Sequence, residues 1–118
     1  MARSVLLQLA RDSIVEVYEA KNSIDKKALI LEHPLLNETI PTTINIYLEN
    51  ELRGSCVTSD SNSLLYNIII GAKKAVFEDK NFSPLTTSEY LHCEIELILS
   101  TQDGDMSEKD APIIKATP

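Results

Sequence analysis

Two segments of the chain carry apolar residues at helical spacing. In residues 2–21 one helix face would hold Val5, Leu6, Leu9, Ala10, Ile14, Val17 and Tyr18. In residues 64–78 a second stripe is formed by Leu64, Leu65, Ile68, Ile69, Ala72, Ala75 and Val76. Both patterns predict amphipathic helices. Gly71 costs about 1 kcal/mol relative to alanine inside a helix, so we expect a strand to approach the second helix there.

Shorter helical signals lie between and after these two segments. Ser23 is a good helix cap, and His33 before Pro34 ends the helix that would follow it, because proline disfavours helical backbone in the residue before it. Thr86 and Glu89 have the spacing of a capping box. We expect that box within a loop or single turn.

Alternation of apolar and polar residues predicts the strands. Residues 43–48 alternate and predict a half-buried strand, and residues 52–58 can pair back with it as a hairpin. Residues 91–100 predict a strong strand, with one apolar face. Residues 101–110 are polar and acidic and predict a loop, whereas residues 113–114 predict a short last strand.

Together these elements predict one domain of the α+β class over residues 1–118. We expect an antiparallel sheet with two to three helices packed against it. The length and apolar content suffice for a core without a disulfide or a metal. We also expect no cofactor, because the sequence holds no cofactor-binding loop.

The net charge, the apolar runs and the cysteines of the chain limit the classes of partner and the location that we expect. The net charge is −7, which would repel both nucleic acids and anionic lipid surfaces. No run approaches the roughly 18 apolar residues of a membrane span, and the first residues do not resemble a signal peptide. Cys56 and Cys93 do not make a secreted disulfide framework. We expect a cytoplasmic protein that binds neither nucleic acid nor membrane.

The first candidate for chemistry is a metal site at His92 and Glu94. In a strand these residues and Glu96 would share one face, about 6.6 Å apart in succession. Imidazole and carboxylate groups bind zinc or iron, but one strand spaces them too widely to hold an ion unaided. The alternative, which we favour, is a solvent-facing side of an antiparallel sheet.

The cysteines are the second candidate. A cysteine nucleophile needs a lowered pKa from a nearby base or a helix N-terminus. His92 adjoins Cys93 in sequence but would point to the opposite sheet face, so a direct dyad is not expected. Cys56 and Cys93 are better interpreted as small core residues. No Gly-x-Ser-x-Gly turn and no phosphate-binding glycine loop are present in the sequence, so no catalytic residue is assigned.

The third candidate is the run Arg53-Gly54-Ser55 beside the hairpin turn. Glycine inside a strand marks a bulge or a close approach of backbone. Arg53 and Ser55 would share a face, where an arginine fork beside a hydroxyl can hold a carboxylate or phosphate. The alternative is an arginine paired with one of the many acids of this chain. Arg53, Gly54 and Ser55 are therefore the predicted ligand-binding residues.

Several segments resemble the AMMECR-one family, whose bacterial and archaeal members are also labelled protein A of the AmmeMemoRadiSam system. Residues 6–14 look like its first helix, and Leu52-Arg53-Gly54 matches its hairpin motif. The run from Ala75 to Thr86, AVFEDKNFSPLT, is similar to a specific family stretch, and residues 94–96 match the strand that follows. The resemblance covers residues 5–100.

The resemblance implies a curved antiparallel sheet that, in the family, draws on both halves of a longer chain. This chain departs from the family at one motif and in length. The family motif Leu-Arg-Gly-Cys-Ile-Gly has cysteine where this chain has Ser55, and isoleucine where it has Cys56. Members are nearly twice as long, so we expect this chain to be a short variant that lacks the C-terminal part. A half-length sheet would expose an edge and an apolar face, which a homodimer could cover.

The family has no settled activity, so the resemblance does not decide the function. We expect a non-catalytic interaction or accessory domain with a protein partner. The alternative is a small enzyme or anionic-ligand-binding domain with its site around Arg53 and Ser55. A pocket that holds both residues and a convergent acid would favour the second function.

Overall fold

A computed structural model describes residues 3–59 and 61–114 of the chain. Helices and strands alternate in groups, as expected for an α+β domain. The helices are α1 (Val5–Glu19), α2 (Lys26–Glu32), α3 (Leu64–Phe77) and α4 (Thr87–His92), with a 3-10 helix at Pro34–Asn37. The strands are β1 (Thr42–Leu48), β2 (Glu51–Val57), β3 (Glu94–Thr101) and β4 (Gly104–Lys109).

The four strands form one antiparallel sheet in the order β2-β1-β3-β4. Helices α1 and α3 pack against each other, α3 lies on β1 and β2, and α1 reaches β3. The core between these layers includes Ile14, Ile44, Ile68 and Leu97, which are almost fully buried. The α+β class and the antiparallel sheet predicted from the sequence are confirmed.

The long helices begin at polar caps. Ser4 accepts the Leu7 N–H at the start of α1, and Ser63 accepts the Tyr66 N–H at the start of α3. The cap predicted at Ser23 is wrong, because Asp25 caps α2. The backbone N–H of Ser23 instead donates to Glu16 at 2.7 Å, and that bond holds Ser23 in the connecting loop.

The strand predicted over residues 91–100 starts three residues too early. The capping box of Thr86 and Glu89 is present and carries α4 through His92. Cys93 then takes extended backbone and β3 begins at Glu94. Leu91 is a partly buried residue of α4, but it also fits the apolar alternation of the strand. The pattern therefore placed the start of the strand too early.

The acidic loop predicted over residues 101–110 is wrong, because Gly104–Lys109 forms β4 and pairs with β3. Gly104 closes the turn with a φ of 119°, which glycine adopts without strain. As an edge strand that remains largely exposed, β4 has no apolar alternation to reveal it. The last strand predicted at residues 113–114 is also wrong, since neither residue is in a strand.

Gly54 and Gly71 mark two close approaches between α3 and the sheet. A Cβ atom at Gly54 would overlap the carbonyl oxygen of Ala75, and one at Gly71 would lie 3.0 Å from the Ile44 side chain. The contact predicted at Gly71 is confirmed. Both glycines therefore set the distance between helix and sheet.

Candidate functional site

Arg53 is the extra residue of a β-bulge in β2. Ile46 pairs with Gly54 and Tyr47 pairs with Leu52, so no residue of β1 lies opposite Arg53. A bulge bends its strand and redirects the side chain of the unpaired residue. The glycine that follows lets β2 approach α3. The sequence predicted a bulge or a close approach here, and both occur.

The guanidinium of Arg53 is bound within the chain. Its Nε and Nη2 atoms each donate to a different carboxylate oxygen of Glu89 at 3.1 Å, which is the two-point geometry of a strong arginine–carboxylate pair. Nη1 donates to the Ser83 carbonyl at 2.9 Å, and the Phe82 ring centre lies 5.6 Å from the guanidinium carbon. The side chain is only 16% exposed.

Glu89 serves the helix and the ion pair at once. It is the third residue of α4, and its carboxylate accepts the Thr86 N–H in the capping box. The hydrogen bond from Arg53, followed by that from Thr86, lowers the pKa of Glu89. The sequence signal that identifies this partner is the capping box itself, although nothing in the pattern joins it to Arg53.

Ser55 lies in a different network from Arg53. Its hydroxyl donates to Asn45 Oδ1 at 2.7 Å, and the amide of Asn45 donates to Glu96 at 3.0 Å. Tyr47 donates to the same Glu96 oxygen at 3.1 Å. The structure therefore does not join Arg53 and Ser55 through a shared partner. The polar positions of β1 and β3 that form this network were visible in the sequence as alternation, but their pairing was not.

The metal candidates are separated by a change of secondary structure. His92 is the last residue of α4 and is exposed, with Nδ1 2.9 Å from the Ser88 carbonyl. Glu94 lies in β3 and approaches Lys109 at 3.8 Å. The shared strand face predicted for His92, Glu94 and Glu96 is therefore wrong. Among the described residues, no group of three metal-binding side chains is close enough to hold an ion.

Neither cysteine has the surroundings of a nucleophile. Cys93 is fully buried, and its thiol donates to the Tyr90 carbonyl at 3.2 Å. Burial raises the pKa of Cys93 despite the nearby Arg11, and burial also raises the pKa of Cys56. Both thiols are therefore protonated at neutral pH. Cys93 is a core residue, as predicted, whereas Cys56 is only partly buried.

An apolar cleft opens beside β4, on the face of the sheet that carries the helices. It has a volume of about 210 Å³. Its apolar lining comes from α1, the 3-10 helix and its exit, β3 and β4: Leu6, Leu35, Ile40, Leu97, Leu99 and Met106. Met106 is 63% exposed and Leu35 47%. The sequence did not predict the cleft, because Met106 lies in the segment that was interpreted as a loop.

The apolar cleft continues into a wider, more polar concavity of about 940 Å³. Leu35, Ile40 and Thr101 line both spaces. The charged residues that line either space are Glu38, Asp103 and Glu108. All three are acidic, so the combined groove is apolar at one end and negatively charged along its rim.

The two edges of the sheet differ. At the outer edge of β2, the carboxylate of Asp79 accepts the Ser55 N–H at 2.9 Å, and the Ser83 carbonyl accepts the Arg53 side chain. Within residues 3–59 and 61–114, no group other than those of β3 forms a hydrogen bond with the outward backbone groups of β4. The edge of β4 that faces away from β3 is therefore open in the described structure.

The hydrogen bonds between β3 and β4 determine which backbone groups of β4 point outward. The N–H of Asp110 donates to the Ile95 carbonyl at 3.0 Å, and antiparallel pairs alternate between bonded and non-bonded positions. The backbone groups at even-numbered positions of β4 therefore face β3. Those of Asp105, Ser107 and Lys109 point outward.

No helix among the described residues has the length and apolar character to cross a membrane. Comparison with solved structures finds the uncharacterized protein PH0010 from Pyrococcus horikoshii, with a TM-score of 0.69 and 22% sequence identity. The match covers 80% of this chain and 48% of that one, so this chain spans about half the length of that relative. At this identity the likeness concerns the fold alone.

No curated protein sequence matches the chain. The family comparison does give a match, since the AMMECR1 model aligns with residues 7–114, nearly the whole chain. The matched region includes the Arg53 bulge, the α4 capping box and all four strands. This chain belongs to the AMMECR1 family.

Proposed function

We propose that this chain is a non-catalytic interaction domain that binds a protein partner along the open edge of β4. The observation that carries the proposal is the difference between the two edges of the sheet. Asp79 accepts one outward N–H of β2, whereas the outward groups of β4 have no hydrogen-bond partner among the described residues. An edge strand of this kind is a template for another strand, and its backbone groups supply affinity without a catalytic residue.

The state of the reactive side chains supports a binding role. Arg53 is paired with Glu89, and the pKa values of both thiols are raised by burial. Ser55 donates its hydroxyl proton to Asn45 rather than to a base. These groups act within the fold, which is consistent with a binding role for the β4 edge and the adjoining groove.

A homodimer is one form that this interaction can take. Two copies of β4 would pair across a two-fold axis and satisfy the outward groups of both strands. Sedimentation equilibrium at micromolar concentration tests this form. A single species of protomer mass contradicts the homodimer but leaves a different partner possible.

The experiment that tests the proposed function is a proline substitution at Ser107. Proline removes the outward N–H of that position and leaves the ladder to β3 intact, because an edge strand tolerates proline where the N–H faces solvent. The matched control is Ser107→Ala, which keeps the N–H. We expect partners recovered from host lysate with the unmodified chain to be retained by S107A and lost by S107P.

The outcome that would sink the proposal is equally direct. If all three chains recover the same proteins in the same amounts, and all three sediment as protomers, the β4 edge has no binding role. Circular dichroism of S107P establishes that the sheet is intact. A loss of binding counts only when the spectrum matches that of S107A.

The anion site predicted at Arg53, Gly54 and Ser55 is the second candidate function. It is favoured by the arginine fork, which Phe82 and Ser83 hold near the surface. An anion could bind this fork only by displacing Glu89. Competition between an anion and Glu89 allows this site to be tested separately from the β4 edge.

A further inference from the structure

We propose that the groove beside β4 accepts an extended segment of another protein that has apolar side chains at every second position and lysine or arginine at the end beside Glu38 and Asp103. This inference rests on the proposed function and names the chemistry of its partner. The carrying observation is the position of an apolar cleft with an acidic rim next to the open edge of the sheet. The occupant is a basic segment of a different protein rather than a second copy of this chain.

A strand added beside β4 would follow the pleat of the sheet. Successive side chains of a strand point to opposite faces of the sheet. In β4, Met106 pairs with the core residue Leu99, so its side chain lies on the helix-bearing face. A strand added to the outer edge of β4 would likewise place every second side chain on that face, where the cleft lies.

The cleft is suited to apolar side chains of a partner. Leucine, isoleucine and methionine side chains make up most of its lining, and Met106 and Leu35 remain largely exposed. Exposed apolar surface of this kind gains free energy when an apolar side chain covers it. The alternate positions of the partner are therefore aliphatic or aromatic.

The charged residues of the groove are acidic. Glu38, Asp103 and Glu108 are the charged residues of the combined groove, and neither lysine nor arginine lines it. A carboxylate rim favours lysine or arginine on the partner and repels acidic segments. Since this chain carries a net charge of −7, a second copy fits the groove less well than a basic segment.

The probes are three synthetic peptides whose central part matches the six residues of β4 in length. That part has leucine at alternate positions with serine between them, and both ends carry two lysine, two serine or two glutamate residues. Fluorescence anisotropy measures their binding to the full chain. We expect the lysine peptide to bind at least about tenfold more tightly than the serine peptide, and the glutamate peptide not to bind.

Two matched pairs of variants separate the groove from general attraction to an acidic protein. Glu38→Lys with Asp103→Lys removes rim charge, whereas Glu49→Lys with Glu51→Lys makes the same charge change beyond the far end of β1, in the turn and at the first residue of β2. We expect the first double variant to lose about tenfold or more in affinity for the lysine peptide, and the second to change it less than about threefold.

The apolar half of the inference has its own pair. Met106→Ser removes an exposed apolar side chain from the cleft, and Val57→Ser removes one that is 75% exposed on β2. Only the first should weaken binding of the lysine peptide. Both positions are exposed, so both variants should fold.

Three results of the peptide experiments would overturn the inference. They are equal binding of the lysine and glutamate peptides, equal losses in the two charge variants, and no saturable binding of any peptide. A dimer that S107P abolishes and S107A retains would also overturn it, because the occupant would then be a second copy. That last result would leave the proposed function standing, whereas failure of the S107P experiment would remove both.

Discussion

Arg11 and Asp110, which are 99 residues apart in sequence, form a buried two-point ion pair. Arg11 Nε lies 2.8 Å from Asp110 Oδ2, and Nη2 lies 3.1 Å from Oδ1. The Ile95 N–H also donates to Asp110 at 2.7 Å. The pair links α1 to the residue directly after β4, and the side chains are only 2% and 1% exposed.

The first prediction follows from this burial. Asp110→Ala should lower the free energy of unfolding by about 3–5 kcal/mol, because it leaves the Arg11 charge buried without its carboxylate. Urea denaturation monitored by circular dichroism measures the change. The control is Asp105→Ala on exposed β4, which should stay within about 0.5 kcal/mol. Equal effects of the two substitutions would show that the pair contributes little.

The second prediction concerns the close approach at Gly54. Gly54→Ala should destabilise the chain by about 3 kcal/mol or more, because the new methyl group meets the Ala75 carbonyl rather than a flexible side chain. Gly71→Ala is the matched comparison, since its methyl group meets the end of the Ile44 side chain and alanine favours the helix. It should change stability by no more than about 1 kcal/mol. If G54A is the milder variant, the spacing between helix and sheet is not fixed at Gly54.

The third prediction is a loss of stability in acid. The hydrogen bond from Arg53 lowers the pKa of Glu89 in the folded chain, so its stabilisation is complete above the unfolded pKa of about 4.3. That stabilisation is lost as the pH falls through the lower folded value. We therefore expect the free energy of unfolding to decrease from about pH 5 downward.

A variant isolates the contribution of Glu89 to this pH dependence. Arg53→Met removes the main cause of the lowered pKa and should flatten the acid slope measured by urea titrations at several pH values. Some slope should remain from Glu16. Burial alone would raise the pKa of Glu16, but the Ile24 amide and Lys73 lower it overall. Identical slopes in the two chains would contradict the role of Arg53.

The fourth prediction is an alternation of hydrogen exchange along β4. In the isolated protomer the amides of Asp105, Ser107 and Lys109 should exchange rapidly, since they point away from β3. The amides between them should be protected by the ladder. Exchange measured by NMR gives both sets in one experiment. Uniform protection would mean that the edge is already occupied, as the homodimer requires.

The fifth prediction tests the anion site at Arg53. An anion there must compete with Glu89, so inorganic phosphate should raise the melting temperature of Glu89→Gln more than that of the unmodified chain. Glutamine keeps the capping-box hydrogen bond of α4, which makes this a conservative change. Arg53→Met should show no phosphate effect beyond that of salt. Equal shifts in all three chains would remove Arg53 as an anion site.

The parts of the fold that the sequence predicted are those with a buried apolar face. Helices α1 and α3 and the hairpin of β1 and β2 carry periodic residues such as Ile14 and Ile44 because one side of each is in the core. The capping box that precedes α4 was also predicted. Burial of one side of a helix or strand produces a periodic apolar pattern in the sequence, and residues that cap helices by local hydrogen bonds mark the helix ends.

The missed features depend on contacts that the chain makes at long range. Strand β4 has no apolar face to alternate, and only its pairing with β3 makes it a strand. The junction at Cys93 was hidden because helix and strand both accommodate Leu91. Arg53 was identified as a candidate, but its pairing with Glu89 joins residues 36 apart, and no local pattern encodes it.

Arg3 donates a hydrogen bond to the carbonyl oxygen of Ala111 at 3.0 Å, so the first and last described segments lie side by side. Arg3 also donates to Asp110 Oδ2 at 2.8 Å, the oxygen that accepts from Arg11. Separation of these two segments would therefore admit water to the Arg11–Asp110 pair beneath them and weaken it by solvation.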